Sequence, residues 1–266
     1  MDTETLYDAN AGKWERRAPS SLSDFTGRPA VFELCGDVVG LDVLDLGAGE
    51  GYCSRILASH GAKSVTGVEL SAEMVAAARR QDERLGQGIT YHQGDATELA
   101  QLAAGSFDLV AAVFLYNYLT VEQMTRSFAE VRRLLRAGGA FVFAVPHPAL
   151  GFIRREHRPP FYFDVEGCGY FSGANRQFQG EISRRDGGVL PVQMIHKTFG
   201  DYFSALASSG FTALPEIREL APSPEPRAPH HAYLPLVPDL TLPLSLPPYL
   251  PVTPPVTKRP APYLPT

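Results

Sequence analysis

Between Leu41 and Val145 short apolar runs alternate with stretches whose apolar positions recur every three or four residues. The runs Leu41–Leu46, Ser64–Leu70, Ile89–Gln93, Phe107–Phe114 and Ala140–Val145 are rich in Val, Leu and Phe and read as buried strands. The stretches between them read as helices over Gly51–His60, Ser71–Leu85, a short one near Thr97–Ala103, and 120–136. Ser71 is placed to cap its helix, and Thr120-x-x-Gln123 has the form of a capping box. Gly61 and Gly138-Gly139 are expected to stop helices. Strands separated by helices of this length predict an α/β fold, a doubly wound and mostly parallel sheet covered on both faces.

The flanks follow other patterns. Residues 3–17 place Leu6, Tyr7, Ala9 and Trp14 among charges, a weakly amphipathic helix, and Pro29–Val39 predicts a second. After Pro146 the alternation breaks into an aromatic-rich segment, with a hairpin expected from Phe178–Arg184, a turn at Asp186-Gly187-Gly188, and Val189–Thr198. A helix over Phe199–Ser209 and a strand over Phe211–Leu220 close the patterned part. The organisation expected is a helical cap (1–40), a Rossmann-like domain (41–220) carrying a lid insertion (147–198), and a tail (221–266). Prolines crowd that tail, so an extended or disordered state is expected. A final antiparallel strand is doubtful; Leu240–Leu246, interrupted by Pro243, is a weak candidate.

Charge and cysteine content narrow the class. The net charge of −5 and the lack of a long Lys/Arg block disfavour nucleic acid as a partner. No apolar run reaches the length of a membrane span, and Met1-Asp2-Thr3-Glu4 is unlike a signal peptide, so a cytoplasmic location is expected. The three cysteines, Cys35, Cys53 and Cys168, have no metal-ligand spacing, and no metal is expected.

The chemistry concentrates in Asp45-Leu46-Gly47-Ala48-Gly49-Glu50-Gly51. A buried strand runs there into a turn of alternate glycines and then a helix, a cradle for an anion or a polar cofactor. A dinucleotide fingerprint would need a third glycine where Tyr52 stands. Asp45 serves either as a turn cap or as an acceptor for a cofactor amino group. Glu69, followed by Leu70, ends the second strand twenty residues after Gly49, where an acid can accept from two ribose hydroxyls; a helix-cap role is the alternative. Asp95, with Ala96, follows Gly94 at the third strand's end and is otherwise an ordinary Asp turn.

The series D-x-G-x-G-x-G, Val68-Glu69-Leu70, Gly94-Asp95-Ala96, the strand at Phe107-Asp108-Leu109-Val110, and Leu134-Leu135-Arg136-Ala137-Gly138-Gly139 resembles the class I S-adenosylmethionine-dependent methyltransferases. The likeness is strong over about 40–146, loose over the N-terminal helices and 199–220, and absent from the tail. It implies S-adenosylmethionine as cofactor, held by Asp45, Gly47, Ala48, Gly49, Gly51, Glu69, Leu70, Asp95, Ala96 and Phe114. It implies that Tyr7-Asp8 closes over the cofactor and that Val113–Asn117 passes beside its methionine moiety.

For the methyl acceptor the expected contacts are Tyr7, Trp14, Tyr116, Asn117, Phe161 and Phe171, an aromatic set suited to a planar apolar molecule. Arg154, Arg155 and Arg158 are either a carboxylate clamp or a solvated surface. His147, between two prolines at the fifth strand's carboxyl end, is the first candidate base, and His196 on the hairpin the second. Both are alternatively packing residues. His60, His92, His230 and His231 read as surface or structural. The lid's beginning and end resemble small-molecule methyltransferases of bacterial secondary and antibiotic metabolism, with a faint likeness to enzymes that C-methylate indoles. O- or N-methylation, a nucleotide-cofactor oxidoreductase, and a non-catalytic cofactor-binding protein acting through its tail are the rival readings.

Overall fold

The computed structural model describes residues 2–14, 19, 21–153, 161–184, 187–219 and 249–253. Five parallel strands form its centre: β1 (Asp42–Leu46), β2 (Ser64–Glu69), β3 (Thr90–Gln93), β4 (Phe107–Val113) and β5 (Leu135–Pro146). They lie in the order β3-β2-β1-β4-β5, so the chain reverses direction of travel across the sheet after β3. The central strands β1, β4 and β5 are largely apolar because both faces are covered, whereas the edge strand β3 buries only Tyr91 fully. Leu44, Leu46, Val110, Ala112, Phe141 and Phe143 point into one core, and Val43, Leu109, Ala111, Val142 and Ala144 into the other. This is the period of two expected of a pleated strand, expressed on two buried faces.

Helices α4 (Gly27–Cys35), α5 (Tyr52–Ser59) and α6 (Ala72–Leu85) supply residues to the second core, and α7 (Val121–Leu134) and α8 (Phe199–Ser208) to the first. Ser71 caps α6 by accepting from Met74 N, and the Thr120/Gln123 box caps α7, as their spacing predicts. Met124, Phe128 and Val131 bury completely along one face of α7. Phe128 meets Tyr116, Phe141 and Phe143 with ring centroids 4.7, 5.5 and 5.4 Å away.

Several expected elements differ in the structure. Helix α7 ends at Leu134, ahead of the glycines, and β5 begins at once. Phe107 pairs with Leu135 and Leu109 with Ala140, so residues 136–139 are extruded as a bulge. Arg136 anchors that bulge to Asp42 and Asp108, at 2.9 and 2.5 Å. No helix forms over Thr97–Ala103, where turns take its place. Asp95 Oδ1 accepts from Thr97 N, Glu130 accepts from Leu99 N, and Arg133 donates to the Leu99 and Leu102 carbonyls. Side chains of α7 thus satisfy the backbone groups that a helix would have paired. The single helix expected over 3–17 is two, α1 (Thr3–Asp8) and α2 (Ala11–Trp14), followed by α3 (Leu22–Phe25).

The expected hairpin is β7 (Gln177–Ser183) with β8 (Val189–Ile195), joined by an unforeseen edge strand β6 (Phe161–Phe163). This small antiparallel sheet has its own core of Leu150, Phe161, Phe163, Phe178, Val192 and Met194. Of Phe211–Leu220 only β9 (Glu216–Ile217) is a strand. The doubtful final strand is present as β10 (Tyr249–Thr253), antiparallel to β5 on one side and to β9 on the other. Pro251 is accommodated because β9 pairs only with Val252 and Thr253. The weaker candidate at 240–246, the rest of the tail, Asp186 and the arginines of 154–158 lie outside the described residues. Among the described residues no helix is long and apolar enough to cross a membrane.

Candidate active site

The carboxyl ends of β1 to β4 open onto a cavity of about 540 Å³, roofed by α1, α2 and the small sheet. Its floor is the turn after β1. Gly47, Gly49 and Gly51 all have positive φ, and Gly51 at +82° leads directly into α5. A Cβ at Gly51 would collide with the Tyr91 phenol, so both conformation and space require glycine there. The Gly47 and Ala48 amides bond to Val68 O, fixing the turn against β2.

Two acids face this turn. Glu69 accepts from Gly49 N at 2.9 Å and from Ser71 N at 3.0 Å, one bond per carboxylate oxygen, and burial raises its pKa. Asp45 is 1 % exposed and takes a 2.5 Å hydrogen bond from Ser54. Burial pushes its carboxyl up to about 6, against the opposing pull of Ser54 and Arg28. Leu70, Asp95 and Ala96 complete this side of the wall. Phe114, also on the wall, has φ +61°, a strained conformation for a bulky residue, and its ring lies 5.4 Å from the Arg28 guanidinium.

The other side of the cavity is aromatic. Tyr7 and Trp14 sit 5.5 Å apart, Tyr7 meets Tyr118 edge-on at 5.4 Å, and its hydroxyl donates to the Tyr118 hydroxyl. Phe161, Phe163, Val192 and Ile195 extend this apolar surface from the small sheet. Polar groups here include Asn117, the acidic Asp2 and Glu4 of the N-terminal segment, and a chain in which Gln177 donates to Gln193 and Gln193 to Thr3, at 2.7 and 2.8 Å.

A family model describing a methyltransferase domain matches residues 43–139. The crystal structure of an S-adenosylmethionine-dependent methyltransferase from Mesorhizobium loti is 31% identical, with a TM-score of 0.60, over 85% of this chain and 95% of that one. The chain belongs to the S-adenosylmethionine-dependent methyltransferases. The ubiquinone biosynthesis O-methyltransferase of Aromatoleum aromaticum is 35% identical over 40% of this chain and 44% of its own. The demethylmenaquinone methyltransferase of Tropheryma whipplei is 33% identical over 54% and 55%. The chain thus spans about half the length of these curated relatives.

The methyltransferase's cavity brings together all the expected cofactor positions except the last glycine, Gly51, which shapes the turn from behind. It also gathers Tyr7, Trp14, Asn117 and Phe161. Tyr116 is not among them: its ring is fully buried in the core beside Phe128, and its hydroxyl meets Ser127 at 3.3 Å. Phe171 is 81 % exposed and outside the cavity wall.

Neither histidine is placed as a base. Pro146 lines the cavity, whereas the next residue, His147, does not. His147 Nδ1 accepts from Ala149 N at 3.1 Å, so Nε2 carries the proton and faces Glu219 at 3.0 Å. His196 Nε2 donates to the Tyr170 carbonyl at 2.8 Å, its ring packs on Phe152 at 4.6 Å, and burial lowers its pKa. Both anchor loops around the site. Of the other histidines, His60 is exposed and His92 half-buried, and His157, His230 and His231 lie outside the described residues.

Sequence reasoning missed Arg28, Tyr118 and Gln193. Arg28 is 8 % exposed, salt-bridged to Asp24 at 2.8 Å, and on the cavity wall. The i, i+4 spacing of Asp24 and Arg28 just ahead of Pro29 was its available signal.

Proposed function

We propose that this methyltransferase transfers a methyl group from S-adenosylmethionine to a small, planar, largely apolar metabolite, with carbon of an electron-rich ring such as an indole as the favoured acceptor atom. The observation that carries the reading is one continuous cavity joining the glycine turn, Glu69 and Asp95 to an aromatic chamber under a lid. A volume near 540 Å³ is within the range of small-molecule sites.

In this reading Glu69 accepts from the ribose hydroxyls and Asp95 with Ala96 meets the adenine. Asp45 accepts from the cofactor's amino group, and Arg28, which acts on the Asp45 carboxyl and lines the cavity, takes its carboxylate. When bound, S-adenosylmethionine supplies a methyl group on a positively charged sulfur, already activated for in-line displacement. The chain's part is alignment and exclusion of water: Tyr7, Trp14 and the lid phenylalanines hold the acceptor's flat face. Alignment of this kind is worth roughly 7–11 kcal/mol. The choice of ring carbon follows the sequence resemblance; an electron-rich ring carbon reacts before it loses a proton, so the methyl-transfer step itself needs no base. The O-methyltransferase name of one relative supports O-methylation as the second reading. A role in bacterial secondary metabolism, antibiotic biosynthesis included, rests on the sequence resemblance alone.

The test is calorimetric titration with S-adenosylhomocysteine on wild type and Glu69→Ala, with NAD as control. Micromolar binding lost on substitution, and no response to NAD, is the expected result. No binding to a folded sample would sink the reading.

A further inference from the structure

Along β4 the side chains alternate between the two cores: Leu109, Ala111 and Val113 enter the second, Val110 and Ala112 the first. Continued extension would send the next side chain, Phe114, to the first core. Phe114 instead has φ +61°, and its ring packs on the same side as Val113, against the second core and the core of the small sheet. Its amide still donates to the Ala144 carbonyl at 2.8 Å, so the backbone stays paired while the side chain is turned over. A left-handed conformation is costly for a bulky residue, and such strain collects at functional sites. The inverted ring meets Arg28. The guanidinium carbon lies 5.4 Å from the Phe114 centroid and 5.8 Å from that of Tyr52, both within reach of a cation–π contact. Arg28 comes from α4, which covers this same face, and one end of its fork, Nη1, is committed to Asp24 at 2.8 Å and to the Ser23 hydroxyl. A guanidinium is planar and offers its donors in fixed directions, so a tether at one nitrogen leaves the tilt of the plane to be decided. The two rings decide it. Arg28, Tyr52 and Phe114 all line the cavity, and the oriented guanidinium is presented there.

We infer that Phe114 is a positioning residue: its inverted ring, with Tyr52, holds the Arg28 guanidinium in the orientation that receives the carboxylate of S-adenosylmethionine. This deepens the methyltransferase reading, in which Arg28 takes that carboxylate, and rests on it. A guanidinium already oriented loses less freedom when the carboxylate arrives, so the strained backbone at Phe114 strengthens recognition of the cofactor's amino-acid end. Without the rings Arg28 would keep its charge and lose its fixed plane.

The test is calorimetric titration of the full chain with S-adenosylhomocysteine and with S-adenosyl-3-thiopropylamine, which lacks only the carboxylate. Wild type should bind S-adenosylhomocysteine about tenfold more tightly than the decarboxylated ligand. Phe114→Leu keeps an apolar side chain and the backbone constraint but has no aromatic face. It should lose about three- to tenfold for S-adenosylhomocysteine and stay within about twofold for the decarboxylated ligand. Phe114→Tyr restores the face and should match wild type. Tyr52→Leu should show the same selective loss, and it gives the answer if Phe114→Leu does not fold. Equal losses for the two ligands would place the rings against a part they share and overturn the inference. So would unchanged S-adenosylhomocysteine affinity in both leucine variants, or a wild type that does not distinguish the pair. Failure of wild type to bind S-adenosylhomocysteine at all is a separate result and strikes the methyltransferase reading itself.

Discussion

At the scale of single residues the site holds its acids at a cost in stability. Asp45 is ionised at neutral pH in a place that burial makes unfavourable, with a pKa near 6 against 3.8 in water. The unfolded chain binds fewer protons than the folded one between these values, so this group's contribution to stability falls as pH rises through that window. Asp45→Asn should consequently be no less stable than wild type at pH 7, and up to about 3 kcal/mol more stable. Its affinity for S-adenosylmethionine should nonetheless fall, because the amino group loses an anionic partner. In wild type, binding should weaken as pH drops below about 6, where Asp45 takes up its proton. Calorimetry across pH 5 to 8 on both proteins checks this; a flat wild-type profile would remove Asp45 from the cofactor site. A second residue-scale case is Gly67, where a Cβ would lie 2.6 Å from the Tyr91 ring. Gly67→Ala should cost roughly 1–3 kcal/mol by overpacking. Adding Tyr91→Leu should restore part of that loss in chemical denaturation, whereas independent sites would simply add.

At the scale of elements, α1 and the lid are fastened by few but well-defined bonds. Asp8 at the end of α1 accepts from the Ser71 hydroxyl at 2.5 Å and more weakly from Glu73 N at 3.4 Å. Gln193 of β8 reaches Thr3 at the helix's other end. Asp8→Ala should loosen α1 and weaken S-adenosylhomocysteine binding by about three- to tenfold, with global stability little changed, as expected for one part-buried charge-assisted bond. Lys197 fastens the lid to the turn after β4 through the Leu119 and Ile195 carbonyls, both at 2.6 Å. Burial lowers its pKa to about 7. The unfolded chain then holds the extra proton between about 7 and 10.5, so stability should rise with pH there, by up to about 1.4 kcal/mol per unit. Lys197→Met should flatten that slope in thermal scans. These fastenings were not legible in the sequence, because each joins residues distant along the chain. The histidines show the same limit: alternation at a strand end aims Pro146 at the cavity and His147 away, and residue type alone does not reveal which. Asp45, Glu69 and Asp95 were legible because a strand's carboxyl end fixes both position and direction.

At the scale of the whole molecule, the pattern that announced the five parallel strands gave no warning of β10, the strand that joins β5 to the edge strand β9. Tyr249-Leu250-Pro251-Val252-Thr253 lies among prolines that argue against any strand, yet it lines up with β5 from Phe143 to Pro146. The apolar β5 supplies the partner that a proline-rich segment cannot find locally, which is why pairing there is a tertiary event. This makes a proposed boundary at residue 220 testable. A chain ending at Thr253 keeps β10 and should unfold near the full-length temperature. A chain ending at Pro248 uncovers the ladder groups of β5 and leaves the two-residue β9 without its partner. Such an uncovered, apolar strand is an aggregation site as well as a loss of hydrogen bonds. That shorter chain should melt several degrees lower and associate on heating, measured by calorimetry and light scattering, while the chain ending at Thr253 does neither. Identical behaviour of the two would mean that β10 contributes nothing to the sheet, and that the domain indeed ends at residue 220. Because β10 pairs with the last residues of β5, up to Pro146 at the cavity wall, its loss should also weaken cofactor binding at temperatures where the domain is still folded.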